Sequence, residues 1–151
     1  MHLLCEGSSL RAITRITGAS KNTVAKLLAD VGCAVSEYQD QVFNDLPCKR
    51  IRVDEIWSFV YAKQANVKDA KAAPPAAGDC WTWTAICADT KLVPSWLVGP
   101  RDGYAAKKFI ADLATRLAHR VQLTSDGHRA YLDAVETVFG DDIDYAQLVK
   151  L

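Results

Sequence analysis

Between residues 51 and 61 apolar and polar side chains alternate: Ile51, Val53, Glu55, Trp57, Phe59 and Tyr61 fall on one side, Arg52, Asp54, Ile56, Ser58 and Val60 on the other. Successive side chains of a strand point to opposite faces of a sheet, so this pattern predicts a strand. A Lys/Ala/Pro-rich stretch over 63–78 breaks the period and predicts an exposed loop. Strand character resumes over 81–87, turns at 88–91 and returns over 92–98, which together predict an antiparallel meander. Pro94 has no N–H to give a ladder, so the third strand belongs at an edge. Phe109, Leu113 and Leu117 then recur at helical spacing within 102–119. A short strand over 121–125, a helix over 127–139 closed by Gly140, and a last strand over 143–149 complete the series.

Three strands followed by helix, strand, helix, strand is the order of a ribonuclease H-like α/β fold, a mixed sheet with flanking helices. In that topology the first and fourth strands lie side by side. Asp54 on the first strand and Asp126 at the end of the fourth are then expected to meet, and paired carboxylates suit a hard cation, Mg²⁺ or Mn²⁺. The competing explanations are a salt bridge for Asp54 and a helix cap for Asp126. Strict alternation sends Glu55 to the face opposite Asp54, so Glu55 is expected to be a salt-bridge partner outside the metal site. Trp57, Trp81 and Trp83 read as core residues by the same alternation, with base stacking as the alternative. His128 reads as a solvated residue of a first helical turn, or else as a phosphate contact.

Ahead of the sheet, Leu10, Ile13, Val24, Leu27 and Leu28 fall at helical spacing in two short helices, over 8–17 and 20–28. Gly18 between them can end the first helix in the left-handed conformation, and Ser20 can cap the second. This is the grammar of a helix-turn-helix, whose second helix enters the major groove of double-stranded DNA. Lys21, Asn22 and Thr23 would then face base edges, with Arg11, Arg15 and Lys26 nearer phosphates. The alternative is a plain helical hairpin. The chain thus divides into a DNA-binding segment (1–31), a linker (32–50) with a helix over 37–44, and the α/β core (51–151).

Charge sharpens this picture only locally. Eighteen basic and eighteen acidic residues cancel, yet no acid occurs between Gly7 and Ala29, a stretch that carries Arg11, Arg15, Lys21 and Lys26. A local positive excess of this kind attracts a phosphate backbone. Five cysteines without a CxxC pair support neither a disulfide framework nor a zinc knuckle, and predict reduced, mostly buried thiols. No apolar run reaches membrane-spanning length, and the start of the chain lacks the features of a secretory signal. The expected location is cytoplasmic, with no membrane partner.

Four blocks carry a resemblance: residues 51–59 around Val53-Asp54-Glu55-Ile56-Trp57, residues 78–86 around Trp81-Thr82-Trp83, the run Ser95-Trp96-Leu97-Val98-Gly99, and Thr124-Ser125-Asp126-Gly127-His128-Arg129-Ala130-Tyr131. In this order they resemble the DDE transposases of bacterial insertion sequences, specifically the family of the first-numbered insertion sequence. The resemblance covers 51–151, with the helix-turn-helix ahead of it in the expected place. It implies a core that nicks transposon ends and joins the freed 3′-hydroxyl to target DNA with Mg²⁺, in a homo-oligomer associated with the bacterial nucleoid. Asp54 matches the family's first acid and Asp126 its second. The third, a glutamate on a later helix, has no counterpart, since Glu136 lies on the helix directly after Asp126. The resemblance therefore implies a C-terminally incomplete core, inactive alone. Two other readings stand beside it: a non-catalytic regulator that occupies transposon ends, and a ribonuclease H-like nuclease that needs no sequence reader.

Overall fold

A computed structural model of the chain describes residues 1–149, which fall into two compact units, Met1–Phe43 and Asn44–Leu151. The first is all-helical, with α1 (His2–Cys5), α2 (Leu10–Thr17) and α3 (Lys21–Val42). The Ser9 hydroxyl accepts a hydrogen bond from the Ala12 amide at 3.2 Å, and the Ser20 hydroxyl accepts one from the Thr23 amide at 3.1 Å. Each side chain satisfies an amide that the helix itself leaves unpaired, which stabilises a helix start by about 1 kcal/mol. Gly18 closes α2 at φ 74°, a conformation that costs glycine nothing. Ile13 and Val24 are the buried residues of α2 and α3.

The second helix is longer than its sequence pattern suggests. Expected to stop at Leu28, it runs on for 22 residues in all and absorbs the separate helix expected over 37–44. The interruption at Gly32 is not a break: a glycine inside a helix costs only about 1 kcal/mol relative to alanine, and no proline intervenes before Pro47.

The second unit is an α/β domain. Its elements are β1 (Arg50–Val60), α4 (Gln64–Val67), β2 (Gly78–Cys87), β3 (Ser95–Gly99), α5 (Gly103–Arg116), β4 (Gln122–Asp126), α6 (Ala130–Phe139) and β5 (Asp144–Leu148). They build a five-stranded mixed sheet in the order β3-β2-β1-β4-β5. The meander is antiparallel, β3 takes an edge, and β1 lies parallel to β4, as the pattern and Pro94 predict. One turn of helix, α4, stands in the stretch read as loop, held by the Asp79 carboxylate, which accepts the Gln64 amide at 2.9 Å.

One sheet face carries Ile51 and Val53 of β1, Trp83, Ala85 and Cys87 of β2, and Leu123 of β4, all buried. Helices α5 and α6 cover it through Ala105, Ala106, Phe109, Ile110, Leu113, Tyr131, Ala134 and Val135. The Asp102 carboxylate caps α5 by accepting the Ala105 amide at 2.8 Å. Asp112 ties the helix to the sheet edge, accepting bonds from the Ser95 hydroxyl and from Arg116. The opposite face bears Arg52, Asp54, Ile56, Thr82, Thr84 and Trp96, and among the described residues Ile56, Trp96 and Val98 stand exposed on it.

Two sequence expectations change here. Trp83 is a core residue, but Trp57 is 40% exposed with the Lys63 ammonium 5.3 Å from its ring centroid, because β1 runs past the last covering helix. Among the cysteines, all with free thiols, Cys48 and Cys87 are buried whereas Cys5 and Cys33 are exposed. The buried pair share a thiol contact. Burial pushes Cys48 up to about 11; burial also raises Cys87, but hydrogen bonds from Thr90, Asp89 and Cys48 outweigh it and bring that thiol down to about 7.

Candidate functional site

Asp54 and Asp126 meet at a point fixed by strand pairing. The parallel ladder joins Arg50 to Gln122, Ile51 to Leu123 and Arg52 to Thr124; continued two residues further, the same register sets Asp54 opposite Asp126. Asp126 is the last residue of β4, where the chain turns toward α6. Its Oδ1 accepts the His128 amide at 2.9 Å, so the carboxylate shapes that turn while Oδ2 faces the cleft. It is therefore a turn-forming acid and a cleft acid at once.

Glu55 belongs to this cluster, contrary to the expectation from alternation. Asp54, Glu55 and Asp126 each present a carboxylate oxygen within 4.8 Å of the other two. The reason is local. The Glu55 amide donates to Asp54 Oδ1 at 2.8 Å, which folds the Asp54 carboxylate back over the strand instead of leaving it upright on its face. Glu55, longer by a methylene, reaches the same rim from the helix-covered side.

The expected salt-bridge role of Glu55 also holds, and its partner is Arg101 in the connection between β3 and α5. Arg101 Nε and Nη2 each lie 2.9 Å from Glu55 Oε2, and Nη2 lies 3.7 Å from Asp126 Oδ2. The guanidinium is also stacked 4.8 Å from the Trp81 ring centroid, which gives half-buried Trp81 a cation to cover rather than a place in the core. The sequence sets Arg101 only among the basic residues, with Lys107, Lys108, Arg116, Arg120 and Arg129, that could line a DNA path or form a solvated face, and does not pair it with Glu55, because a loop residue has no period. A signal existed: it follows Gly99-Pro100 and immediately precedes the Asp102 cap, two features that fix the backbone on either side.

Behind the carboxylates is a nest of polar atoms in apolar surroundings. The Glu55 side chain is 1% exposed, and its Oε1, Tyr131 Oη and His128 Nε2 are buried without a hydrogen bond of full geometry. Burial first, and then the Glu55 carboxylate as hydrogen-bond acceptor and as neighbouring charge, push the Tyr131 phenol far above its ordinary pKa, so it stays protonated. His128, expected to be solvated, instead packs 5.8 Å from the Trp83 ring and 5.9 Å from that of Tyr131.

In front of the acids opens a cleft of about 890 Å³, lined by Asp54, Arg101, Asp126, His128, Arg129 and Leu148. A concave site with convergent carboxylates and flanking guanidinium groups can hold a cation and the anionic ligand it binds. The donors are oxygens only, the set preferred by Mg²⁺ and Mn²⁺. Glu136, on α6, is not one of the converging acids.

In the all-helical unit, Arg11 and Arg15 project from α2 and Lys21, Asn22, Thr23 and Lys26 from the first turns of α3, all exposed. Two of these are already engaged. The Thr23 hydroxyl shares a hydrogen bond of 2.8 Å with the Ser20 hydroxyl, and Lys26 pairs with Asp30 one turn along. No protein-family model and no curated protein matches the chain. No helix among the described residues is long and apolar enough to cross a membrane.

Proposed function

We propose that the unit Asn44–Leu151 is a ribonuclease H-like DDE transposase core that cleaves phosphodiesters at insertion-sequence ends and joins the 3′-hydroxyl to target DNA, and that Met1–Phe43 recognises those ends. The observation that carries this reading is the convergence of Asp54 and Asp126 from adjacent parallel strands onto an open cleft. The strand order, the capped helix pair around Gly18 and the exposed basic side chains support it further.

The acid cluster fits a divalent cation. Its three carboxylates offer oxygens within 4.8 Å of one another, and the Glu55 side chain among them is 1% exposed, a buried charge that needs a cation beside it. When bound, Mg²⁺ or Mn²⁺ would lower the pKa of an attacking water or 3′-hydroxyl and stabilise the leaving oxygen. Asp54 and Asp126 supply the oxygens that hold and orient the cation. Arg129, exposed on the cleft wall, offers a guanidinium to a backbone phosphate. Trp83 and Tyr131 close the rear of the site to water. Bringing two ends together calls for a homo-oligomer, acting at the nucleoid of a bacterial cytoplasm.

The test is Mg²⁺-dependent nicking of a duplex that carries the terminal sequences flanking the gene, by the full chain. Against the inactivity that the absent third acid implies, nicking is expected because three carboxylates rather than two converge in the site, and it is expected to vanish in Asp54→Ala. Binding without nicking would instead identify a non-catalytic occupant of the ends. Nicking whose sequence preference survives Lys21→Ala with Asn22→Ala would identify a general nuclease.

Salt dependence checks the reading unit separately. Arg11, Arg15 and Lys21 have no ion-pair partner among the described residues, while Lys26 is paired with Asp30. Three phosphate contacts predict a slope of log affinity on log salt of about −2.7, or a loss of roughly 40-fold between ~50 and ~200 mM. Asp30→Asn releases Lys26 and is expected to steepen the slope to about −3.6. A slope near zero in both proteins, measured by fluorescence anisotropy, would rule out this phosphate-contact surface.

A further inference from the structure

We infer that Arg101 is a built-in placeholder cation, which holds the seat between Glu55 and Asp126 until a divalent ion takes it, and that Glu55 then joins Asp54 and Asp126 as a third carboxylate ligand. The inference rests on the cation-site reading above and adds to it a ligand and a competitor.

Burial of Glu55 is the first argument. Its side chain is 1% exposed, and a buried carboxylate without a countercharge is strongly destabilising. In this structure Arg101 supplies that charge, through two nitrogens on the single oxygen Oε2. The other oxygen, Oε1, is buried and makes no hydrogen bond of full geometry, its nearest donor being the Tyr131 phenol, so Oε2 is the oxygen that the guanidinium and a metal ion would exchange. A metal ion differs from an N–H donor in drawing several carboxylates to one point, and the three acids already present oxygens within 4.8 Å of one another.

Arg101 is placed to leave. Its side chain is 36% exposed, and its hold is lopsided, 2.9 Å to Glu55 but 3.7 Å to Asp126. The Trp81 ring beneath it offers a surface on which the guanidinium can remain after release from Glu55. The neighbouring residue Asp102 caps α5, so the backbone stays fixed and only the side chain has to swing. Three carboxylates converge and Arg101 pairs with two of them, Glu55 and Asp126, so the cluster retains negative charge that favours a doubly charged ion. A divalent ion and Arg101 cannot both sit on Glu55 Oε2 at full strength, because two positive charges on one oxygen repel at short range. Exchange of one for the other leaves the buried carboxylate partnered throughout.

The experiment measures Mn²⁺ binding to the full chain, from the paramagnetic resonance signal of the free ion, alongside thermal melting with and without Mn²⁺. Arg101→Gln is expected to bind Mn²⁺ about tenfold more tightly than the unaltered protein, an effect of the size seen for groups adjoining metal ligands. Without Mn²⁺ the same variant is expected to melt at a lower temperature, and saturating Mn²⁺ to restore it, a rescue that a merely structural arginine would not give. Glu55→Gln combined with Arg101→Gln is expected to lose the gain in affinity. This double variant removes both charges and so leaves no buried ion unpaired if Arg101→Gln alone does not fold. Arg101→Lys keeps the charge but grips Glu55 through one nitrogen, and is expected to fall between the unaltered protein and Arg101→Gln.

Unchanged or weaker Mn²⁺ binding in both Arg101→Gln and Arg101→Lys would overturn the inference. If Asp54→Asn abolishes binding while Glu55→Gln makes no difference in the Arg101→Gln background, the placeholder idea fails and the cation site stands. Absence of Mn²⁺ binding in every protein would sink both.

Discussion

Trp83→Ala is expected to destabilise the unit Asn44–Leu151 by about 3–5 kcal/mol, the range for removing a large aromatic side chain from a core. Trp83 is fully buried at the point where sheet and helices meet. Its ring is edge-on to Tyr131 at 5.5 Å and tilted against Phe109 at 6.0 Å, and its indole N–H donates to the Pro100 carbonyl at 3.0 Å. Truncation therefore opens a cavity behind the acid cluster and frees the backbone one residue before Arg101. Domains of this size are stable by only about 5–15 kcal/mol, so a loss on this scale brings the unit near its unfolding threshold. Trp83→Phe keeps most of the packing, gives up the indole hydrogen bond and is expected to lose considerably less. Urea titration monitored by circular dichroism separates the two, and equal losses would show that ring volume is not what matters at this position.

The second large effect falls on chemistry rather than stability. Asp54→Asn and Asp126→Asn are each expected to slow Mg²⁺-dependent nicking by more than about 10²-fold, the scale of removing one group that stabilises developing charge. Asparagine keeps the side-chain oxygen. Asp54→Asn can still accept the Glu55 amide, and Asp126→Asn can still accept the His128 amide, so both folds should survive. Melting temperatures close to that of the unaltered protein would establish this. Because the two acids hold one cation between them, the double variant should be little worse than either single one, the behaviour of residues that act as a unit. Full nicking by either single variant would remove that residue from the catalytic reading.

The contrast between Asp54 and Glu55 shows how far the sequence could be read. Asp54 and Asp126 were legible because a strand's alternation and the order of elements are both patterns, and together they set two acids on neighbouring strands. Glu55 was not, since the alternation that selects Asp54 assigns its neighbour to the other face. Alternation describes where Cβ points, but a glutamate carboxylate lies well beyond its Cβ, and at the rim of a sheet the two faces meet. Arg101 had no periodic signal at all. In the helical unit the caps at Ser9 and Ser20 were visible one residue at a time, whereas the length of α3 was hidden by Gly32, a residue that weakens a helix without ending it.

The parallel ladder between β1 and β4 has a consequence for how this site can work. Its rungs end at Arg52 and Thr124, two residues short of the acids. Beyond that rung Asp54 stays laddered to Thr84 of β2 and Asp126 to Leu148 of β5, so each acid is braced from its outer side. The gap between the carboxylates is therefore spanned by no backbone rung, and side chains alone, the Arg101 guanidinium among them, bridge the two halves of the sheet at the site.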